Sequence, residues 1–198
     1  ISLEDYLRSM RRISDAMYYS VIKDKDLATE GLDEEMDLLY EANKDNLVSI
    51  ACYARDGGLV AAAPIANVKA GISVTDQEWF QDAVDQLENF HFSTPHVQNL
   101  FDDPSYRYHW VVSLSRTVEL TNNGGTMQGV LLVDMNYSSI KQLLEKVNQD
   151  VSKEYVYLMD RNGEIIYHPK QNLIRTGLLG EDNQDVSGYE DGTTREHF

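Results

Sequence analysis

The chain has 198 residues, enough for one good-sized core or for one domain and part of a second. Its composition is ordinary for a folded globular protein, 42% hydrophobic and 25% charged, but 33 acidic residues against 17 basic leave a net charge of −16. No Lys/Arg cluster offsets that charge, which argues against nucleic acid or anionic lipid as partners and for ligands that are small and neutral or positively charged.

The chain begins without methionine, inside a helical pattern, and reads as a piece of a longer protein. Leu3, Tyr6, Leu7, Met10, Ile13, Met17 and Val21 recur at steps of three and four, the period of one helical face. With no Gly or Pro before Gly31, this predicts a long amphipathic helix of about 40 Å. A second helix is expected from Leu32, with Met36, Leu39 and Tyr40 on one side.

Leu47 to Tyr53 then reads as a strand, Arg55-Asp56-Gly57-Gly58 as a tight turn, and Leu59 to Ala63 as a returning strand ended by Pro64. The lone cysteine, Cys52, lies in the first of these and excludes an intramolecular disulfide. Nothing basic flanks it, so it reads as a buried, inert thiol. Asp76 is placed to cap a short helix from Gln77 to Leu87 whose inward residues are Trp79, Phe80, Ala83, Val84 and Leu87. From Phe90 to Tyr108 the chain reads as irregular.

Val111 to Asn136 predicts two strands joined by Asn122-Asn123-Gly124-Gly125. In the first, His109, Val111, Ser113, Ser115 and Thr117 share one face, and Trp110, Val112, Leu114, Arg116 and Val118 the other. The hydroxyl face suits either a polar pocket floor or a half-exposed edge strand. In the second, Gly129-Val-Leu-Leu-Val133 is too apolar to face water, yet it runs into Asp134. A buried carboxylate without a partner costs several kcal/mol, so Asp134 should meet a donor or line a cavity.

Ile140, Leu143, Leu144 and Val147 mark another amphipathic helix, followed by a strand from Tyr155 to Met159, a turn at Asp160 to Gly163, and a strand from Glu164 to His168 closed by Pro169. From Gly180 the tail is acidic and Gly-rich and carries no readable period. Laid without gaps, residues 50–64 fall on residues 155–169, with Gly58 on Gly163 and Pro64 on Pro169. The shared order of helix, strand, turn, strand and proline predicts two modules of one design, residues 1–136 complete and residues 137–198 partial.

These features, namely the long helix, Tyr53-Ala-Arg-Asp-Gly-Gly58 with Pro64, the Trp79-Phe80 pair, Gly-Val-Leu-Leu-Val-Asp134 and Ile-Ile-Tyr-His168-Pro169, together resemble the double Cache sensor domain. The resemblance implies an α+β fold of PAS-like modules, each an antiparallel sheet with a long N-terminal helix, outside the membrane of a bacterial sensor histidine kinase. It covers the membrane-distal module in full and the membrane-proximal one in part. It implies a small molecule bound between the sheet and the lid helix of the distal module, with a shift of the long helix carrying the signal through the membrane. A chemoreceptor or a cyclic-dinucleotide enzyme would carry the same ectodomain.

In amino-acid-binding members an Arg two positions before the Trp grips the ligand carboxylate, a Tyr follows the Trp, and the strand-end Asp holds the ammonium. This sequence keeps Trp79 and Asp134 but has Gln77 and Phe80 at the other two positions. Gln offers only neutral donors where a guanidinium would grip a carboxylate, which favours a sugar-like molecule or an amine over a simple α-amino acid. The candidate ligand-binding residues are Asp134, Trp79, Phe80, Gln77, Ser113, Ser115, Tyr53 and Asp76. On helical period Trp79 and Phe80 serve equally as core anchors, and Asp134 could instead cap the following helix.

No histidine pair has metal-ligand spacing, so neither metal nor cofactor is expected, and no nucleophile elbow or phosphate loop is present. Two readings of other classes stand beside the sensor: a glycoside hydrolase with paired carboxylates at Asp76 and Asp134, and a homodimerisation module pairing the Leu3 to Val21 stripe of two copies.

Overall fold

The computed structural model describes residues 3–64, 67–86, 90–102, 109–149, 157–159 and 165–167. The chain divides into two compact units, Ile1–Tyr137 and Ser138–Phe198.

The first unit begins with α1 (Leu3–Ala16), which continues as a π-helix, Met17–Ile22. The Lys23 amide closes it on the Tyr18 carbonyl five residues back, at 2.9 Å. The wider turn has a packing reason: Met17, Val21 and Ile22, at steps of four and five, are all buried, which an unbroken α-helix would not allow on one narrow face. The helix thus ends at Ile22, short of the length read from the absence of Gly and Pro. Its apolar stripe, Tyr6, Met10, Ile13, Met17 and Val21, is buried within this chain. The stripe is therefore already covered and not free to pair two copies, and the side left outward carries Arg8, Ser9 and Arg12.

Next come α2 (Asp33–Asn43), β1 (Leu47–Ala54), β2 (Leu59–Ala63), α3 (Glu78–Asp85), the two-residue strands β3 (His91–Phe92) and β4 (His96–Val97), and the long hairpin β5 (Trp110–Asn122) and β6 (Gly125–Asn136). They form one antiparallel sheet in the order β2-β1-β6-β5-β3, with β4 also on β5. The fold is α+β, an N-terminal helix on an antiparallel sheet. Both apolar strands of the sequence, β1 and β6, lie in its middle, where neither face meets water.

The β5–β6 turn falls where the sequence placed it: Asn122 pairs with Gly125, leaving Asn123 (φ 52°) and Gly124 (φ 76°) as the corner. Positive φ at both positions is the hairpin geometry that Asn-Gly satisfies with least strain. Asp26, from the loop after the π-helix, holds the corner, its carboxylate accepting the amides of Asn123 (2.7 Å) and Gly124 (2.8 Å). The Ala28 amide, followed by those of Gly124 and Asn123, holds the Asp26 carboxyl below its usual value.

α1 packs on β6, and α2 on β1 and β2. The opposite face of the sheet, where α3 lies, belongs to the candidate site. The chain joins Ala63 to Pro64 by a cis peptide bond. Cys52 is fully buried, and burial pushes its thiol up to about 12, in keeping with an inert role.

In the second unit α4 (Tyr137–Asn148) buries Ile140 and Leu144, and β7 (Leu158–Met159) pairs antiparallel with β8 (Ile165–Tyr167). The β7–β8 hairpin carries an irregularity between Leu158 and Met159, as β1–β2 does between Cys52 and Tyr53. The turn at 160–163, His168, Pro169 and the acidic tail lie outside the described residues.

Candidate functional site

Register places the hydroxyl face. Ser49 on β1 and Ser113 on β5 both stand opposite Asp134 on β6, so the three share one row across the middle of the sheet. The next rows are Ala51–Leu132–Ser115 and Tyr53–Val130–Thr117. Gly129, just beyond, has a strict steric reason: a Cβ there would meet the Tyr53 carbonyl oxygen at 2.8 Å and Leu120 Cδ1 at 2.5 Å.

α3 lies over these rows. Trp79, Phe80 and Ala83 are buried in one apolar cluster with Ala51, Tyr53, Val130 and Leu132. Trp79 tilts against Tyr53 with ring centroids 5.6 Å apart and meets Phe80 edge-on at 5.8 Å. Trp79 is therefore a core anchor over the two rows next to that of Asp134, and Phe80 is core.

Ser115 has a different part from the one its position suggests. Its Oγ donates to the Trp79 carbonyl at 2.8 Å, and Thr117 Oγ1 donates to the Ala83 carbonyl. These two hydroxyls latch α3 to β5. Asp76 is exposed before the helix, and the cap position is Gln77, which makes no side-chain cap. The Gln77 amide instead reaches the Ser73 carbonyl at 3.4 Å.

Asp134 is 1% exposed. It sits inside β6, two residues before the strand ends, and so does not cap α4. Ser113 Oγ donates to its Oδ1 at 2.5 Å, and Ser49 Oγ to Oδ2 at 3.4 Å. Burial pushes the carboxyl above its ordinary value, against the pull of Ser113, His96, Ser49 and Gln98 toward the charged form. His96, on β4, brings its Nε2 to 3.3 Å from Ser113 Oγ, while its Nδ1 lies 3.0 Å from the Thr94 carbonyl. The imidazole on this face is thus His96; His109, which the strand period put here, is exposed ahead of β5.

Two buried polar atoms beside Asp134, Tyr53 Oη and Gln98 Nε2, have no hydrogen-bond partner among the described residues. Gln98 lies close enough to favour the ionised carboxyl without completing a bond of good geometry. Burial and the nearby Asp134 push the Tyr53 phenol up. An unpaired buried donor costs about 1–3 kcal/mol, so this row has hydrogen-bonding capacity that the protein itself does not use.

A shallow groove of about 320 Å³ on the β5–β6 hairpin, lined by Thr117 to Glu119 and Thr126 to Gln128, reaches the Tyr53 row only at Thr117 and takes in none of the Asp134 row. Among the described residues, no three His, Cys, Asp or Glu side chains gather to hold a metal, and no helix is long and apolar enough to cross a membrane.

The sequence profile of the Cache domain matches residues 2–197. The chain belongs to the Cache domain family. Cache domains are ligand-binding modules, and the α+β sheet with its N-terminal helix is the architecture the sequence resemblance implied.

Among solved structures this Cache domain is similar to the ligand-binding domain of the Pseudomonas fluorescens chemoreceptor CtaA in complex with L-valine, at 15% identity and TM-score 0.58, over 86% of this chain and 69% of that one. It is similar to the ligand-binding domain of the Pseudomonas aeruginosa PAO1 amino acid chemoreceptor PctC in complex with GABA, at 17% identity and TM-score 0.59, over 91% and 77%. The ligand-binding domain of the Campylobacter jejuni chemoreceptor Tlp3 in complex with 4-methylisoleucine follows at 14% identity and TM-score 0.60, over 86% and 65%. At these identities the likeness is one of fold. No curated protein matches the sequence.

Proposed function

We propose that this Cache domain is the extracytoplasmic small-molecule sensor of a membrane-anchored signalling protein, and that its ligand is a neutral or cationic molecule, sugar-like or an amine. The carrying observation is the environment of Asp134. A fully buried carboxylate accepts from Ser113 and Ser49, with His96 and Gln98 nearby and no Lys or Arg among the four, and among the described residues Tyr53 Oη and Gln98 Nε2 are left unpaired. Hydroxyl or ammonium donors on a ligand would serve the carboxylate, and a ligand acceptor would serve the two unpaired donors.

Gln77, bonded to a backbone carbonyl, offers no charge for a ligand carboxylate, which weighs against a simple α-amino acid. The parent is read as a sensor histidine kinase from the sequence resemblance. A second reading, a chemoreceptor ectodomain, is favoured by the similar solved structures, all three of which come from chemoreceptors. Either parent needs the ligand to bias two placements of the N-terminal helix, by about 1–3 kcal/mol of differential binding.

The test is thermal shift of the 198-residue domain against sugars, polyols, amines and amino acids. Sugars, polyols or amines that raise the Tm of the wild type, and not that of Asp134→Asn, are the expected hits. Hits that survive this substitution unchanged would move the site elsewhere.

A further inference from the structure

Arg116 stands on β5 between the two hydroxyls that latch α3. Successive residues of a strand point to opposite faces, so while Ser115 and Thr117 bond the Trp79 and Ala83 carbonyls, Arg116 meets the N-terminal helix on the other side. Its Nη1 donates to Asp15 Oδ1 at 2.8 Å. Its Cζ lies 5.1 Å from the centre of the Tyr18 ring and 4.8 Å from that of Phe90, within reach of a cation–π contact with each. The Arg116 side chain is only 17% exposed, so solvent and salt screen these contacts less than on an open surface.

The three partners fall at telling places. Asp15 belongs to the last turn of α1 and Tyr18 to the π-helix, so one planar cation spans the joint where the α-helix widens. Phe90 comes from the α3 side, directly before β3, which pairs with Leu114 and Ser115. Arg11, one turn before Asp15, brings its Cζ to 5.9 Å from the same ring. Ser14, beside Asp15, is 1% exposed, and its Oγ has no hydrogen-bond partner among the described residues. A buried hydroxyl left unpaired is a cost tied to this placement of the helix end, and one that another placement can relieve.

We propose that Arg116 is the coupling residue between α3 and the N-terminal helix: through it, a displacement of α3 on β5 reaches the α-to-π joint at Asp15 and Tyr18. Its use in signalling rests on the sensor reading above; the coupling itself does not. A shift of α3 that pulls on Ser115 and Thr117 turns β5 at Arg116. The guanidinium then cannot keep the Asp15 carboxylate and both rings, because its rigid plane fixes all three directions at once. A lysine could follow Asp15 on its flexible stem but has no plane to lay on two rings. Arg116 and Asp15 are 101 residues apart in sequence, unlike the helical pairs Arg8–Glu4 and Lys44–Glu41, so their bond carries force between elements rather than along one.

The experiment is a double-mutant cycle by urea unfolding of the 198-residue domain, pairing Asp15→Asn with the latch variant Ser115→Ala with Thr117→Val, and repeated on Arg116→Gln. Sites on opposite faces with no shared partner combine additively to within about twofold in the unfolding constant. With Arg116 present the combination should depart from additivity by about threefold or more, and with Arg116→Gln the departure should vanish. In native-state amide exchange the latch variant should speed residues 15–22 relative to β6, a readout that needs no change at Arg116 and so survives a failure of Arg116→Gln to fold. Arg116→Lys should recover part of the lost stability without recovering that response, which a bond serving stability alone would not separate. Additive effects with Arg116 in place, or exchange in residues 15–22 that ignores the latch, overturn the coupling. The cycle uses no ligand, so either of those results leaves the sensor reading in place.

Discussion

At the scale of single residues, the fold keeps one carboxylate where water cannot reach it. Because burial raises the Asp134 pKa, the folded state favours its protonated form. The stability this contributes is full below the ordinary carboxylate value and is lost as pH rises through the folded-state value. Asp134→Asn removes that loss, so the Tm difference, variant minus wild type, should grow as pH is raised from about 4 toward neutrality. Thermal melts across that range check it; a constant difference would mean that Asp134 carries no linkage. Asp134 and Ser113 were legible in the sequence because strand period fixes the face and an acid ending an apolar run has few inexpensive places to go. His96 and Gln98 were not. A two-residue strand has no period, and they reach the site because β4 pairs with β5, a pairing that local sequence does not announce. Ser49 was hidden inside an apolar run, where one Ser carries no signal.

At the scale of elements, α3 is tied to the sheet by hydroxyls as well as by packing. Ser115 and Thr117 alternate along β5 and bond the carbonyls of Trp79 and Ala83, one turn apart on the helix. Neutral hydrogen bonds of this kind are each worth about 1 kcal/mol, so Ser115→Ala with Thr117→Val should cost about 2 kcal/mol in denaturant unfolding. The same double variant should speed amide exchange in residues 78–85 more than in β6. Equal protection in both elements would show that apolar packing alone holds the helix. The period of Trp79, Phe80 and Ala83 made the helix readable. The latch was not, since Ser and Thr on a strand face read equally as pocket floor. The π-helical end of α1 was hidden for a related reason: Met17, Val21 and Ile22 fit an α-period loosely, and only the sheet they pack on makes the wider turn favourable.

At the scale of the whole molecule, the net charge of −16 sets the background field in which any ligand arrives. Self-repulsion on that scale opposes the compact state, and added salt screens it, with a Debye length falling from about 30 Å at 0.01 M to about 8 Å at 0.15 M. Raising sodium chloride across that range should therefore raise the Tm and weaken a cationic ligand more than a neutral one; a Tm that falls instead would show that attractive ion pairs, such as Arg116–Asp15, outweigh the repulsion. The similar solved structures extend beyond the length of this chain.

On the proposed function, the ligand meets the sheet at the Asp134 row, beside α3. Backbone and indole NMR of the labelled domain, titrated with the strongest thermal-shift hit, tests it directly. The amides of Ser49, Ser113 and Asp134 and the indole of Trp79 should move together at one affinity, while Glu119, Thr126 and Gln128 on the distal hairpin stay still. Shifts confined to that hairpin, with the Asp134 row unmoved at saturation, would contradict it.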